Sequence, residues 1–208
     1  METLQERMEK IVQTSYDLLC KKIVGGIYTI ENEASLQLLF GEVLLDVGRL
    51  HTYSRDEYFT VGREYKYSKV PTSKNNIDTF CDISLKLKSG NEECSAAIEM
   101  KYLKKSKNEA TTDNRFSVLQ DIENLEHYPT SIGFMLVYTD NPNYTNPKTQ
   151  SYLKIGHNNT IGDGTVYQTG NKHQKDVLIK GNYTFHWNTI KNGKKDHCFM
   201  LLRVTSNI

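Results

Sequence analysis

The sequence lacks any apolar run near the roughly 18 residues that a membrane-spanning helix needs. Its opening, METLQERMEK, has no apolar segment behind a basic start. Neither a membrane span nor a secretory leader is therefore expected. Cysteine is scarce: Cys20, Cys81, Cys94 and Cys198 form no CxxC pair and no zinc-ligand spacing. That usage fits reduced thiols and a cytoplasmic location. The histidines His51, His127, His157, His173, His186 and His197 show no HxxxH spacing. Without a Walker loop, a GxGxxG or a nucleophile elbow, nucleotide-cofactor and Ser- or Cys-triad chemistries lose their usual sequence support.

An excess of one charge is missing as well. The 208 residues carry a formal net charge of +1, with 38% hydrophobic and 25% charged residues. Aromatic residues make up 10%, including 13 Tyr, enough to build the core of a single domain over 1–208. The balance hides an asymmetry. Residues 141–208 carry nine Lys or Arg against three Asp or Glu, a net +6, and residues 1–140 a net −5. A basic C-terminal third beside an acidic body admits a polyanionic partner, although solvated lysines on loops give the same figures.

Residues 2–24 read as an amphipathic helix: Leu4, Met8, Ile11, Val12, Leu18, Leu19 and Ile23 fall near helical spacing, and Gly25–Gly26 stops it. Residues 31–47 predict a second helix, with Asn32 as N-cap and Gly48 at the exit. Strands are expected at 57–67, 79–88 and 94–103, the last two joined by a turn at Ser89–Glu92. A lysine-rich loop follows, then a helix at 113–128 with Asp113 as N-cap, then a buried strand at 131–138. Residues 141–175 are expected to be mostly irregular, with further strands at 177–187 and 197–205. This order predicts an α/β fold, a central mixed β-sheet flanked by helices.

The middle hairpin holds the informative residues. A turn centred on Gly90–Asn91 sets Asp82 opposite Glu99, with Cβ atoms roughly 4.5–5.5 Å apart. Lys101, two residues beyond Glu99, points to the same face, while Ile98 and Met100 point the other way with Ile83 and Leu85. Two adjacent carboxylates repel unless a cation neutralises them, and a hard divalent ion such as Mg²⁺ is the usual partner. The lysine could orient a water for attack on phosphorus. The bland alternative is a solvated charged strand face.

Asp82, sixteen intervening residues, and then Glu99-Met100-Lys101 on the next strand resemble the PD-(D/E)xK motif of restriction-endonuclease-like nucleases. Cys81 stands where the motif has proline, and Asp78, four residues earlier, is an alternative ligand. The resemblance covers about residues 31–140, leaving an N-terminal helix (1–25) and a basic extension (141–208) outside it. It implies a restriction-endonuclease-like core, with a further acid on the helix before the sheet. Of Glu31, Glu33 and Glu42, only Glu33 shares the apolar arc of Leu36, Phe40, Val43 and Leu44. An ordinary first-turn acid is the alternative for Glu33.

By that resemblance Asp82, Glu99, Lys101 and Glu33 are the catalytic set. Asp82, Glu99, the Met100 carbonyl and Glu33 would hold Mg²⁺, with Mn²⁺ able to substitute. Lys104, Lys105, Lys107 and Arg115 are the expected contacts to nucleic acid, against solvated-loop and snorkelling alternatives. The expectation is a metal-dependent deoxyribonuclease, a restriction or anti-invader endonuclease, working as a homodimer when both strands are cut. The competing expectation is a non-catalytic nucleic-acid-binding module on the same fold.

Overall fold

A capping box opens the first helix, α1 (Leu4–Val24): the Thr3 hydroxyl accepts from the Glu6 amide at 3.1 Å, and the Glu6 carboxylate accepts from the Thr3 amide at 2.8 Å. The computed structural model describes residues 2–71, 76–104, 112–146, 148, 153–168 and 176–205. Met8, Ile11, Val12, Leu19 and Ile23 are buried, as their spacing predicts. Leu18 falls outside that arc and is exposed, its place taken by Tyr16 and Cys20. The second helix, α2 (Glu33–Leu50), begins at the expected cap, where Asn32 accepts from the Ser35 amide at 2.8 Å. It does not stop at Gly48. That glycine serves packing instead, because a Cβ there would lie 2.0 Å from Phe59 Cδ1.

Strands β1 (Glu57–Pro71), β2 (Asn76–Ser89) and β3 (Glu92–Leu103) precede helix α3 (Thr112–His127) and strand β4 (Ile132–Thr139). Six short or terminal strands follow: β5 (Thr160–Gly162), β6 (Thr165–Tyr167), β7 (Val177–Ile179), β8 (Asn182–Thr184), β9 (Asn188–Asn192) and β10 (Lys195–Val204). The central sheet has the order β1-β2-β3-β4-β10-β9. Within it β3 and β4 are parallel, linked through α3, and the other neighbours are antiparallel. The chain is thus α/β with a mixed central sheet.

Both faces of the sheet are covered. Ile83, Leu85, Ile98, Met100, Phe134 and Leu136 pack with α1 and α2. Cys81, Ala97, Met135, Val137 and Met200 pack with α3 and the short strands. Double coverage explains why all eight residues of β4 are buried and why it reads as a continuous apolar run. No helix among the described residues is long and apolar enough to cross a membrane. The four cysteines are free and buried.

The C-terminal third is built into the sheet rather than appended to it. β10 pairs with β4 along its length, and β9 returns beside β10 through a turn at Gly193 (φ +61). The sequence pattern does not predict β9: with only Ile190 apolar, this edge strand has no alternation to read. The single strand expected over 177–187 is two, β7 and β8, in separate two-stranded sheets with β6 and β5. The stretch expected to be irregular holds a 3₁₀ turn at Pro142–Tyr144 as well as β5 and β6.

The alternation of β2 breaks at Asp82, so that Ile83 packs toward α2 and Cys81 toward α3. Opposite the break, between the pairs Arg63↔Ile83 and Tyr65↔Cys81, Glu64 has φ +50. A left-handed glutamate is uncommon and marks a local twist stored in the backbone.

Candidate active site

The β2–β3 partners run from Ser89↔Glu92 to Ile83↔Ile98, the register that a turn at Gly90–Asn91 predicts. The next pair would be Asp82 and Glu99, and there the ladder ends. β3 continues beside β4 to Leu103, so its other edge has amides without strand partners. Carboxylates take them. Met100 N donates to Asp82 Oδ2 at 2.6 Å, and Tyr102 N donates to Glu33 Oε2 at 3.3 Å. Buried amides must be satisfied, and here the parting of two strands collects acidic side chains to do it.

Glu33 arrives from the first turn of α2, the position its place on the apolar arc predicts, while Glu31 and Glu42 are exposed. One turn later Gln37 Nε2 donates to Asp82 Oδ1 at 2.7 Å. Lys101 Nζ reaches Glu33 Oε1 at 3.3 Å, the Met100 carbonyl at 3.3 Å, and Asp121 Oδ2 of α3 at 2.9 Å. Glu99 is 4% exposed and accepts from the hydroxyl of Tyr128, whose ring stacks on Tyr67 at 4.5 Å.

Four carboxylates thus surround one ammonium. Burial pushes the Glu99 carboxyl well above its ordinary value, and the charges of Asp121 and Asp82 push it further. Burial also raises Asp82, against the stabilising Met100 amide. Asp121 is pushed up to about 6 by burial, with Lys101 opposing. For Lys101 burial works against the charge, but Asp121 and then Glu33 outweigh it and hold the ammonium above its ordinary value. Among the described residues no three His, Cys, Asp or Glu side chains are gathered closely enough to grip one ion. Lys101 stands between Glu33 and Asp121, and the oxygens of Asp82 and Glu99 are turned to Gln37, Met100 and Tyr128.

Asp82, Glu99, Met100, Lys101 and Glu33 therefore converge. Asp78, the alternative ligand, forms a half-exposed ion pair with Lys66 at 2.9 Å. Lys104 is exposed just beyond β3, and Lys105 and Lys107 lie outside the described residues. The expected phosphate contact by Arg115 needs correcting. Arg115 is 2% exposed, donates to the Asn143 carbonyl at 3.0 Å and lies 5.2 Å from the centre of the Tyr144 ring. The segment after β4 covers the first turn of α3, so this guanidinium is buried inside the protein.

Three site residues escaped the sequence reading: Gln37, Asp121 and Tyr128. Asp121 had a legible signal. It sits on the apolar stripe with Val118, Ile122 and Leu125, the same anomaly that singles out Glu33. No protein-family model matches the chain, and no curated protein or solved structure matches it. The chemistry is read from the residues alone: hard oxygen donors short of positive charge, a tethered ammonium, and a partly exposed Glu33.

Proposed function

We propose that the chain is a metal-dependent nuclease of the restriction-endonuclease-like kind that hydrolyses phosphodiester bonds in DNA. One observation carries this reading. The three motif residues Asp82, Glu99 and Lys101, and Glu33 from another element, meet in the gap where β2 leaves β3.

The donor atoms are of the kind a hard divalent cation takes, and binding one would require the Asp82 and Glu99 oxygens to turn toward it from Gln37, Met100 and Tyr128. Asp82, Glu99 and the Met100 carbonyl would hold it, with Glu33 completing the set. When bound, Mg²⁺ or Mn²⁺ supplies Lewis-acid stabilisation of the charge that develops on the phosphoryl oxygens. The protein's own groups do the positioning. Gln37 and the Met100 amide fix the two oxygens of Asp82, and Tyr128 fixes Glu99. Asp121 and Glu33 aim the Lys101 ammonium, which orients a water for attack and answers negative charge at the phosphate. Cutting both strands of a duplex from one site per chain calls for two chains, so a homodimer belongs to the proposal, as does a restriction or anti-invader role.

The test is cleavage of supercoiled and linear DNA, then RNA, with Mg²⁺, Mn²⁺ or EDTA, by the wild type and Lys101→Ala. Metal-dependent cutting that the variant loses is the expected result. Cutting that survives Lys101→Ala, or an absence of cutting on every substrate, overturns the proposal. Retained nucleic-acid binding without cutting would transfer the assignment to the non-catalytic binding module.

A further inference from the structure

Beyond Glu64 and Asp82 the β1–β2 hairpin runs on without β3, carrying the pairs Tyr65↔Cys81, Lys66↔Phe80 and Tyr67↔Thr79. On one side Tyr67 and Cys81 are buried against the α3 layer. On the other, Phe80 is 59% exposed although large and apolar. Lys66 stands directly across from it, in an ion pair with Asp78 that is half-exposed on both partners. Such a pair is weakly held and exchanges readily for another anion. At the kink, exposed Arg63 lies across α2, its Cδ 3.9 Å from where a Cβ on Gly41 would stand. Among the described residues no carboxylate forms an ion pair with Arg63. Leu38, next in α2 to the Gln37 that holds Asp82, is also exposed.

We propose that this face is a platform for a single-stranded stretch of nucleic acid, in which Phe80 stacks on an unpaired base two residues from Asp82 while Arg63 and Lys66 bind the flanking phosphates. The inference rests on the nuclease reading for the presence of a nucleic acid at Asp82, and narrows it: with unpaired strand as the substrate, the two-chain cut of a duplex and the restriction role built on it no longer follow. An aromatic ring beside two cations matches the alternating character of a single strand, apolar base faces along an anionic backbone. Duplex would present the cations with phosphate but leave the ring nothing to stack on, because its bases are already stacked on each other.

The test uses the full chain in EDTA, where binding is read apart from cleavage. Labelled oligothymidylate and oligouridylate of about 20 nucleotides are compared by fluorescence anisotropy with a duplex of equal length. Single strand is expected to bind about tenfold or more tightly than duplex. Phe80→Ala is expected to weaken single-strand binding about tenfold, and Phe80→Trp to preserve it. Arg63→Ala should reduce the salt slope of binding by about one phosphate contact. Thermal melting of the variants checks that these exposed substitutions leave the fold intact. Equal or tighter duplex binding, indifference to Phe80→Ala, or no binding to any oligonucleotide overturns the platform. Phe80-dependent single-strand binding without cleavage under any metal supports the platform and overturns the nuclease alone. Metal-dependent cleavage indifferent to Phe80→Ala does the reverse.

Discussion

Glu33 and Lys101 are 68 positions apart in the chain and meet at 3.3 Å. Each is otherwise engaged with the edge of β3: Glu33 accepts from Tyr102 N and Lys101 donates to its own neighbour's carbonyl at Met100. The pair bridges α2 and the open edge of β3, with Asp121 of α3 holding the lysine from the other layer.

Asp121 positions Lys101 without belonging to the motif. Asp121→Asn is expected to lower kcat about 10–100-fold, the scale of lost supporting contacts around a catalytic centre, with KM little changed. Removing a negative neighbour lowers the lysine's pKa, so the alkaline limb of the pH–rate profile should move to lower pH. A merely structural role would leave that limb in place.

Glu99 trades stability for charge. Burial raises its pKa, so folding favours the protonated form, and stability falls as pH rises from the ordinary value of 4.5 through the folded one. Glu99→Gln keeps an acceptor for Tyr128 and removes the buried charge. The variant should melt above the wild type at neutral pH and match it below about pH 4.5. Added Mg²⁺ should raise the melting temperature of the wild type and leave that of the variant unmoved.

The acid limb of stability should involve Glu57. Its carboxylate takes both guanidinium nitrogens of Arg7, at 2.9 and 3.0 Å, and the Tyr53 amide at 2.7 Å. The Arg7 bonds, followed by that amide, hold its pKa down at about 2. A depressed acid stabilises above its unfolded value, and that contribution is lost as pH falls from about 4.5 toward 2. Glu57→Gln should flatten the pH dependence of urea midpoints in that window and lower stability at neutral pH.

Gly48 tests the close approach of α2 to β1. Its Ala variant would set a Cβ within 2.0–2.6 Å of three Phe59 ring carbons. Over-packing of this kind costs about 1–3 kcal/mol, read as a lowered denaturation midpoint. Combining it with Phe59→Leu should recover part of the loss, whereas a helix-propensity effect alone would make Gly48→Ala stabilising.

Much of the fold was legible because the α2 cap and the β2–β3 register rest on local chemistry, whereas Asp113, expected to cap α3, lies inside its first turn, which begins at Thr112. Asn32 has one backbone amide to cap, and Gly90–Asn91 sets the pairing that runs to Ile83↔Ile98, one step short of Asp82 and Glu99. The same locality explains the misses. Gly48 looks like a helix stop until Phe59, distant in sequence, is packed against it. Arg115, near the apolar face of its helix, reads as a phosphate contact or a snorkelling side chain until Asn143 and Tyr144 cover it. Glu33 could be picked from its helix because a carboxylate on an apolar arc needs a partner. Asp121 carried the same mark, and Tyr128 carried none, since a buried tyrosine at a helix end is ordinary core until its hydroxyl meets Glu99.

The pairing of β10 with β4 sets the order in which this molecule can be finished. Every residue of the candidate site has been synthesised by Tyr128, yet β4, apolar on both faces, waits for its second neighbour until β10 (Lys195–Val204) is made. A growing or prematurely ended chain therefore displays an open, sticky edge beside a complete set of acidic side chains.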